Sequence, residues 1–316
     1  MENNMSVTTV RVEDKNLLST LKEVVQSIFT EASKIDITAF KETNPEEERV
    51  YDVYKVNVDG SIYVLKRTDK SEVEVFKKYL NNNNFPVPAY YTDYKYKENF
   101  WIIEEFVSGI DLKLFNKETA VLCADSLATI SNYYWSEKPN GIHEGSRMDK
   151  YLKRILKRKE CLKNRPDELK AYEIFINRQR TCPRTLSHGD LLPLNAIKTE
   201  KEVVFIDWGF SGIMPYSIDP ARLITHGSET DNIYYMTEEL KKIFLESYYE
   251  NLTETGLSYE EYLWDIQLSC LNESIEFIEK SLKDPDGARE NEFFQFYDRK
   301  LRKISKGILE GEIVII

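Results

Sequence analysis

The stretch from Leu186 to Trp208 constrains this chain more than any other. It begins Leu186-Ser187-His188-Gly189-Asp190-Leu191-Leu192-Pro193-Leu194-Asn195 and closes on Val203-Val204-Phe205-Ile206-Asp207-Trp208. Gly189 and Pro193 both interrupt helix formation, so the first part reads as a loop. The second is a short apolar run of strand type that ends on Asp207. A loop followed by a strand brings Asp190, Asn195 and Asp207 to one end of the unit.

Phosphoryl transfer is the chemistry that needs this grouping. A divalent metal bridging nucleotide phosphates takes one or two hard oxygen ligands from protein, the rest coming from phosphate and water. A further carboxylate has to face the acceptor hydroxyl and take its proton. Asp190 fits that base, and Asn195 and Asp207 fit the metal ligands. Asp-x-x-x-x-Asn followed by a strand-borne Asp is the spacing of a kinase catalytic loop and its metal-binding Asp. Taken singly, His-Gly-Asp is an ordinary turn and Ile-Asp-Trp an ordinary strand end. His188, Asp190 and Asp207 as ligands to zinc or iron are the alternative metal reading.

Composition narrows the class. The 316 residues suffice for one large domain or two lobes with their own cores. A net charge of −11 and a pI of about 5.1 argue against nucleic acid as a partner and tilt the choice towards a cationic one. Cys123, Cys161, Cys182 and Cys270 lie far apart without Cys-x-x-Cys spacing, which suits free thiols in a reducing compartment. No leader-like start and no membrane-length apolar run is present, so the expectation is a soluble cytoplasmic protein with no membrane partner.

Along the chain, Leu17, Leu18, Leu21, Val24, Val25 and Ile28 have helical spacing. Residues 35–40 and 53–58 alternate as strands, Asp59-Gly60 marks a hairpin, and Ile62 to Leu65 forms the next strand, ending at Lys66. A helix is predicted over 70–80; of its two candidate glutamates, Glu72 lies nearer the apolar face than Glu74. Phe100 to Phe106 reads as a further strand leading to Gly109. Beyond Lys117 the pattern is mostly helical. The basic run Lys150 to Lys159 interleaves Tyr151, Leu152, Ile155 and Leu156 at helical spacing, which fits a solvated basic face better than a nucleic-acid site. The later helices carry Tyr248, Tyr249, Glu260, Glu261, Trp264, Asp265, Glu273 and Glu276, a set suited to an amine.

His188-Gly189-Asp190 with Asn195, Ile206-Asp207-Trp208, and the segment Ser217 to Leu223 around Asp219 together resemble the aminoglycoside phosphotransferase and choline kinase-like family, relatives of the protein kinases. The resemblance implies an α+β, bilobal protein kinase-like fold. A small antiparallel-sheet lobe that binds nucleotide would span residues 1 to about 107, and a larger, mostly helical lobe with catalytic and acceptor sites 108–316. It also implies Mg²⁺ as cofactor and ATP or GTP as donor. Lys66 would pair with the phosphates and Glu72 with Lys66. Backbone groups of Glu105 and Val107 would hold the adenine, although Glu104 stands where the family usually has a larger apolar residue. Asp219 would brace the catalytic loop, and His188 would support it. The acceptor would be a hydroxyl of a small molecule, such as an aminoglycoside or another amine. The loop Lys41 to Arg49 departs from the kinase pattern: it has no glycine and carries Glu46, Glu47 and Glu48, which motivates the alternative of a catalytically silent kinase-like binding protein.

Overall fold

A computed structural model of the chain describes residues 6–43, 48–81, 84–112, 115–136, 141–227, 235–282 and 292–315. The chain forms two compact units, Met1–Ser108 and Gly109–Ile316.

The first unit is built on a six-stranded antiparallel sheet. Its elements are β1 (Ser6–Arg11), α1 (Lys15–Ile28), β2 (Ile35–Thr43), β3 (Glu48–Val58), β4 (Ser61–Thr68), α2 (Lys70–Val75), β5 (Tyr90–Tyr96) and β6 (Asn99–Glu105). The strand order is β1-β2-β3-β4-β6-β5. Asp59 (φ 51°) and Gly60 (φ 96°) turn β3 into β4, both in the left-handed region such hairpins demand. The Asp59 carboxylate also accepts from Ser33 Oγ at 2.7 Å and from the Lys34 amide at 2.8 Å, tying the turn to the start of β2. Asp14 caps α1, whose Leu21, Val24 and Val25 are fully buried against Ile37, Val56, Leu65, Trp101 and Ile103 of the sheet. α2 begins at Asp69, which accepts from the amides of Ser71 and Glu72, and widens into a π-helical turn over Phe76–Leu80.

Two features differ from expectation. β1 is an additional edge strand; its Val7-Thr8-Thr9-Val10 run has the β-branched content that favours strands, but it is too short to show a clear period. β4 also continues past Lys66 to Thr68, so that lysine lies within the strand instead of ending it. Of the glycine-free loop expected over Lys41 to Arg49, residues 41–43 belong to β2 and 48–49 to β3, and residues 44–47 lie outside the described residues.

The second unit contains β7 (Ile110–Asp111), α3 (Lys117–Tyr134), α4 (Arg147–Arg158), α5 (Pro166–Gln179), β8 (Arg184–Ser187), β9 (Ala196–Lys198), β10 (Val203–Phe205), β11 (Gly212–Pro215), α6 (Ile218–Thr225), α7 (Glu238–Asn251), α8 (Tyr259–Leu282) and α9 (Glu292–Glu310). The short strands form two small sheets, β10-β9-β7 and β11-β8, which the helical pattern of the region hides in the sequence. α8 is the central helix: Tyr262, Ile266, Leu271, Ile275 and Ile278 are buried, and so are its polar Asp265, Asn272 and Glu273. α4 buries Met148, Tyr151, Leu152 and Ile155 and leaves Lys150, Lys153, Arg154 and Lys157 exposed. α9 packs through Tyr297, Leu301, Ile304 and Ile308. Cys123, Cys182 and Cys270 are buried free thiols. Among the described residues, no helix is long and apolar enough to cross a membrane.

Lys300 on α9 is half-buried among Lys241, Lys303 and apolar groups, and its amine is lowered to about 8, chiefly by burial and then by Lys241. Its folded value lies below its unfolded one, so the native state binds fewer protons and stability rises as pH climbs from about 8 to 10. Lys300→Met should therefore be more stable than the native chain at pH 7, by at most about 3 kcal/mol. The difference should fade above pH 10; urea melts of both proteins across that range provide the check.

Candidate functional site

The β9–β10 hairpin explains why three separated polar residues meet. Phe205 pairs with Ala196, and the Ile206 amide donates to the Asn195 carbonyl at 2.9 Å. Asn195, just before β9, and Asp207, just after β10, therefore emerge at the same end of the hairpin. The Asn195 amide Nδ2 donates to the Asp190 carbonyl at 2.9 Å. That bond leaves the Asn195 Oδ1 as an acceptor and ties Asn195 to the catalytic loop. Asp207 holds φ 67° and ψ 65°, a left-handed conformation that costs a residue with a Cβ about 1–2 kcal/mol.

The loop bearing Asp190 is held from below by α6. Asp219 is buried and accepts the amides of His188 at 2.7 Å and Gly189 at 2.9 Å. Burial pushes its carboxyl up, while His188 and those two amides pull the other way. Gly189 has φ 77°, and a Cβ there would lie 2.5 Å from the Phe210 carbonyl oxygen, so only glycine allows this loop path. His188 is fully engaged: Nδ1 accepts the Asp190 amide at 3.3 Å, Nε2 donates to the Ile206 carbonyl at 2.7 Å, and the ring packs on Trp208. With both ring nitrogens occupied by backbone, His188 has no lone pair for a metal. Among the described residues no cluster of three His, Cys, Asp or Glu suited to a metal ion occurs, so a zinc or iron triad of His188, Asp190 and Asp207 is not formed.

An arginine that the sequence reading passed over stands beside Asp190. Arg222 Nε donates to Asp190 Oδ1 at 2.7 Å, and its Nη2 reaches the same oxygen. Its Nη1 bonds Glu273 at 2.6 Å and lies 3.5 Å from Glu276. Glu276 in turn pairs with buried Arg158, which also binds Asn272 at 2.8 Å and Glu279 at 3.1 Å. Burial and Arg222 act in opposite directions on the Glu273 carboxyl, and burial prevails, raising it. Asp265 is similarly committed, to Arg178 at 2.6 and 2.8 Å and to Tyr216 at 3.1 Å. Of the acidic residues of α8 that seemed suited to an amine, Asp265, Glu273 and Glu276 are thus bound to arginines, while Glu261 accepts from Ser258 at the start of the helix and Glu260 is exposed. The signal in the sequence was the i, i+3 pair Asp219 and Arg222, which places both on one face of α6.

In the first unit, Lys66 Nζ lies 2.7 Å from Glu72 Oε1, and Glu72 is buried. Thr68 donates to the other oxygen of Glu72. Glu74 instead pairs with Lys70 at the surface. At the end of β6 the Glu105 amide donates to the Ala89 carbonyl at 2.9 Å, and its carboxylate accepts the Ala89 amide at 3.2 Å. The Glu105 amide is thus committed to Ala89, and of the Glu105 backbone groups expected at the hinge the carbonyl is the one this bond does not engage. Glu104 is buried on β6, opposite Val64 and Tyr90. Gly109 serves close packing: a Cβ would lie 2.3 Å from the Lys198 carbonyl oxygen of β9.

The residues present fit a magnesium ion. Asn195 and Asp207 give one neutral and one anionic oxygen donor, the small protein ligand count that Mg²⁺ takes when phosphate and water complete its shell.

Comparison with known proteins bears on the whole chain. A sequence search of curated proteins finds no match. Among solved structures, the chain is similar to an ethanolamine kinase from Plasmodium vivax, with a TM-score of 0.61, 17% identity, and coverage of 95% of this chain and 91% of that one. It is similar to the choline kinase LicA from Streptococcus pneumoniae, with a TM-score of 0.56, 16% identity, and coverage of 94% and 100%. It is also similar to the aminoglycoside phosphotransferase APH(4)-Ia, solved with ADP and hygromycin B, with a TM-score of 0.53, 13% identity, and coverage of 91% and 98%. These likenesses give the fold as α+β and kinase-like. The profile of the phosphotransferase enzyme family matches residues 48–250. The chain belongs to the phosphotransferase enzyme family.

Proposed function

We propose that this protein is a Mg²⁺-dependent small-molecule kinase that moves the γ-phosphoryl group of ATP or GTP to an acceptor hydroxyl. The observation that supports this most is the convergence on Asp190: its backbone held through Asp219, His188 and Asn195, and one carboxylate oxygen held by Arg222. With Oδ1 bound to Arg222, Oδ2 is the oxygen that accepts the acceptor's proton as the hydroxyl attacks phosphorus and the P–O bond to the leaving nucleoside diphosphate breaks. Asn195 and Asp207 would hold the metal, which when bound neutralises charge on the phosphate oxygens. Lys66, kept in place by Glu72, would contribute a further positive charge to the phosphates. Val107, whose backbone groups make no hydrogen bond among the described residues, would meet the base. Ethanolamine kinase, choline kinase and aminoglycoside phosphotransferase structures resemble this one, so their acceptor classes belong in the first assay.

The direct test is nucleotide consumption with Mg²⁺ and ATP or GTP over a panel of aminoglycosides, choline, ethanolamine, sugars and hydroxy acids. Asp190→Asn should reduce acceptor-dependent turnover by about a thousandfold or more while nucleotide affinity stays within about twofold. Equal turnover in that variant would sink the assignment. Failure of the native chain to bind Mg²⁺-nucleotide at all would favour a silent kinase-like binding protein.

Arg222 acts on the reaction through Asp190 and is a positioning residue. Arg222→Lys keeps the charge but cannot reproduce the fork that spans Asp190 and Glu273. Its kcat should fall about 10- to 100-fold with the KM for nucleotide unchanged. Arg222→Met, which strands two buried glutamates, should instead lose about 3–5 kcal/mol of stability. A kcat for Arg222→Lys equal to the native value, in a protein that melts normally, would remove Arg222 from the mechanism.

A further inference from the structure

Next to the catalytic loop lies a cavity whose electrostatics run against the rest of the chain. It has a volume of about 170 Å³ and is lined by Arg147, Lys150 and Arg154 of α4, by Gly189, and by Phe210 and Met214 beyond Asp207. Among the described residues no carboxylate lines it, in a chain with 54 acidic and 43 basic residues. The three cations stand at i, i+3 and i+7 on one face of α4, where like charges repel one another by a few tenths of a kcal/mol per pair, about 0.2–0.5 kcal/mol. The same helix shows the ordinary arrangement one residue away, where Asp149 pairs with Lys153 at 2.8 Å. Lys150 and Arg154 have no ion pair among the described residues; Arg154 has only the face of Tyr151, 5.9 Å away. Arg147 donates to the Gly209 carbonyl and stands 5.9 Å from the Phe210 ring centre, which holds its guanidinium at the mouth of the cavity.

Resting on the phosphotransferase reading, we propose that this cavity is the acceptor's anion subsite. It would take a phosphate or carboxylate group, so the acceptor is a small hydroxylated oxyanion and not an amine. Three observations carry this. Gly189, on the wall of the cavity, directly precedes Asp190 in the chain, so the cavity adjoins the loop that carries the carboxylate proposed to receive the hydroxyl proton. Three buried carboxylates of the same unit that suited an amine, Asp265, Glu273 and Glu276, are already paired with Arg178, Arg222 and Arg158. The volume is also well under the roughly 300–1,000 Å³ of sites for drug-sized ligands, which suits a three- to six-carbon acid or sugar phosphate better than a multi-ring antibiotic. Arginine and lysine together suit an oxyanion: the planar fork gives paired hydrogen bonds and the ammonium a compact charge.

The test is calorimetric titration of the native protein and of a Lys150→Met/Arg154→Met double variant. The probes are inorganic phosphate, glycerate, 3-phosphoglycerate, glycerol and choline at low ionic strength. Both side chains are exposed, so the variant should fold, and a melting curve verifies this. The native protein should bind the oxyanions in preference to glycerol and choline, and the double variant should bind them about tenfold more weakly or worse. Equal oxyanion binding by the two proteins, tighter binding of choline than of 3-phosphoglycerate, or no oxyanion binding at millimolar concentrations would each overturn the subsite. Mg²⁺-nucleotide binding measured on the same samples keeps the two readings apart: its loss strikes the kinase assignment, its retention with unselective acceptors strikes only the subsite.

Discussion

Arg222 is a buried cation between three carboxylates, and the geometry of the second unit depends on it. A guanidinium left unpaired in such a place would cost several kcal/mol, so Asp190, Glu273 and Glu276 are as necessary to Arg222 as it is to them. Through this one side chain the catalytic loop is joined to α6, which bears Arg222, and to α8, which bears both glutamates. Asp219, one turn earlier on α6, grips the backbone of the same loop through two amides. A single helix thus holds the loop by its main chain and by the carboxylate that matters. The pairing is more demanding than an exposed ion pair, because desolvated partners must satisfy every donor and acceptor at once. It also engages one oxygen of Asp190, so that in the proposed reaction the other would receive the hydroxyl.

The metal side rests on strain of a different origin. Asp207 sits in a left-handed conformation directly after a fully buried strand, with Trp208 buried behind it and bonded to the Phe205 carbonyl at 2.8 Å. The surrounding core keeps that conformation by leaving the chain no other route. Because Ile206 is also bonded to Asn195, the two residues that would hold magnesium move together as one rigid hairpin end. Preorganisation of this kind matters in phosphoryl transfer, where little covalent chemistry falls to the protein and most of the catalysis is position and charge.

What could be read from the sequence was whatever has a local signature. Amphipathic spacing placed α1, α2, α4, α7 and α8, and the Asp59-Gly60 turn placed the β3–β4 hairpin. The loop and strand around Asp190 and Asp207 could be read because glycine, proline and a short apolar run are local signals. Glu72 was distinguishable from Glu74 because helical angle alone separates a buried from an exposed face, and the structure pairs them with Lys66 and Lys70 respectively. The residues that escaped notice act over long separations. Arg222 meets Glu273 only through tertiary packing, fifty-one positions apart, and no periodicity reports it. The bond from the Glu105 amide to Ala89 was not legible either, because Ala89 approaches from the segment before β5, sixteen positions away. Short strands such as β7 and β9 pair with each other across some eighty residues and carry too few residues to show a period.

Net charge was the least informative quantity for the acceptor. A total of −11 suggests attraction for cations, yet a bound molecule feels the charges left unpaired within a Debye length, about 8 Å at physiological salt, and little beyond. On α8 the negative charges nearest the catalytic loop are cancelled by arginines at hydrogen-bond distance. On α4, beside the same loop, Lys150 and Arg154 have no ion pair among the described residues. The sign of the local field is therefore opposite to the sign of the whole chain, and the ion pairs that build the core cause it. Arginines bonded to glutamates inside the protein remove those glutamates from recognition, and acids exposed at the surface are screened by solvent and salt. The charge preferred in an acceptor follows from which groups the fold leaves unpaired around its site, and under the subsite proposed above those groups are Lys150 and Arg154.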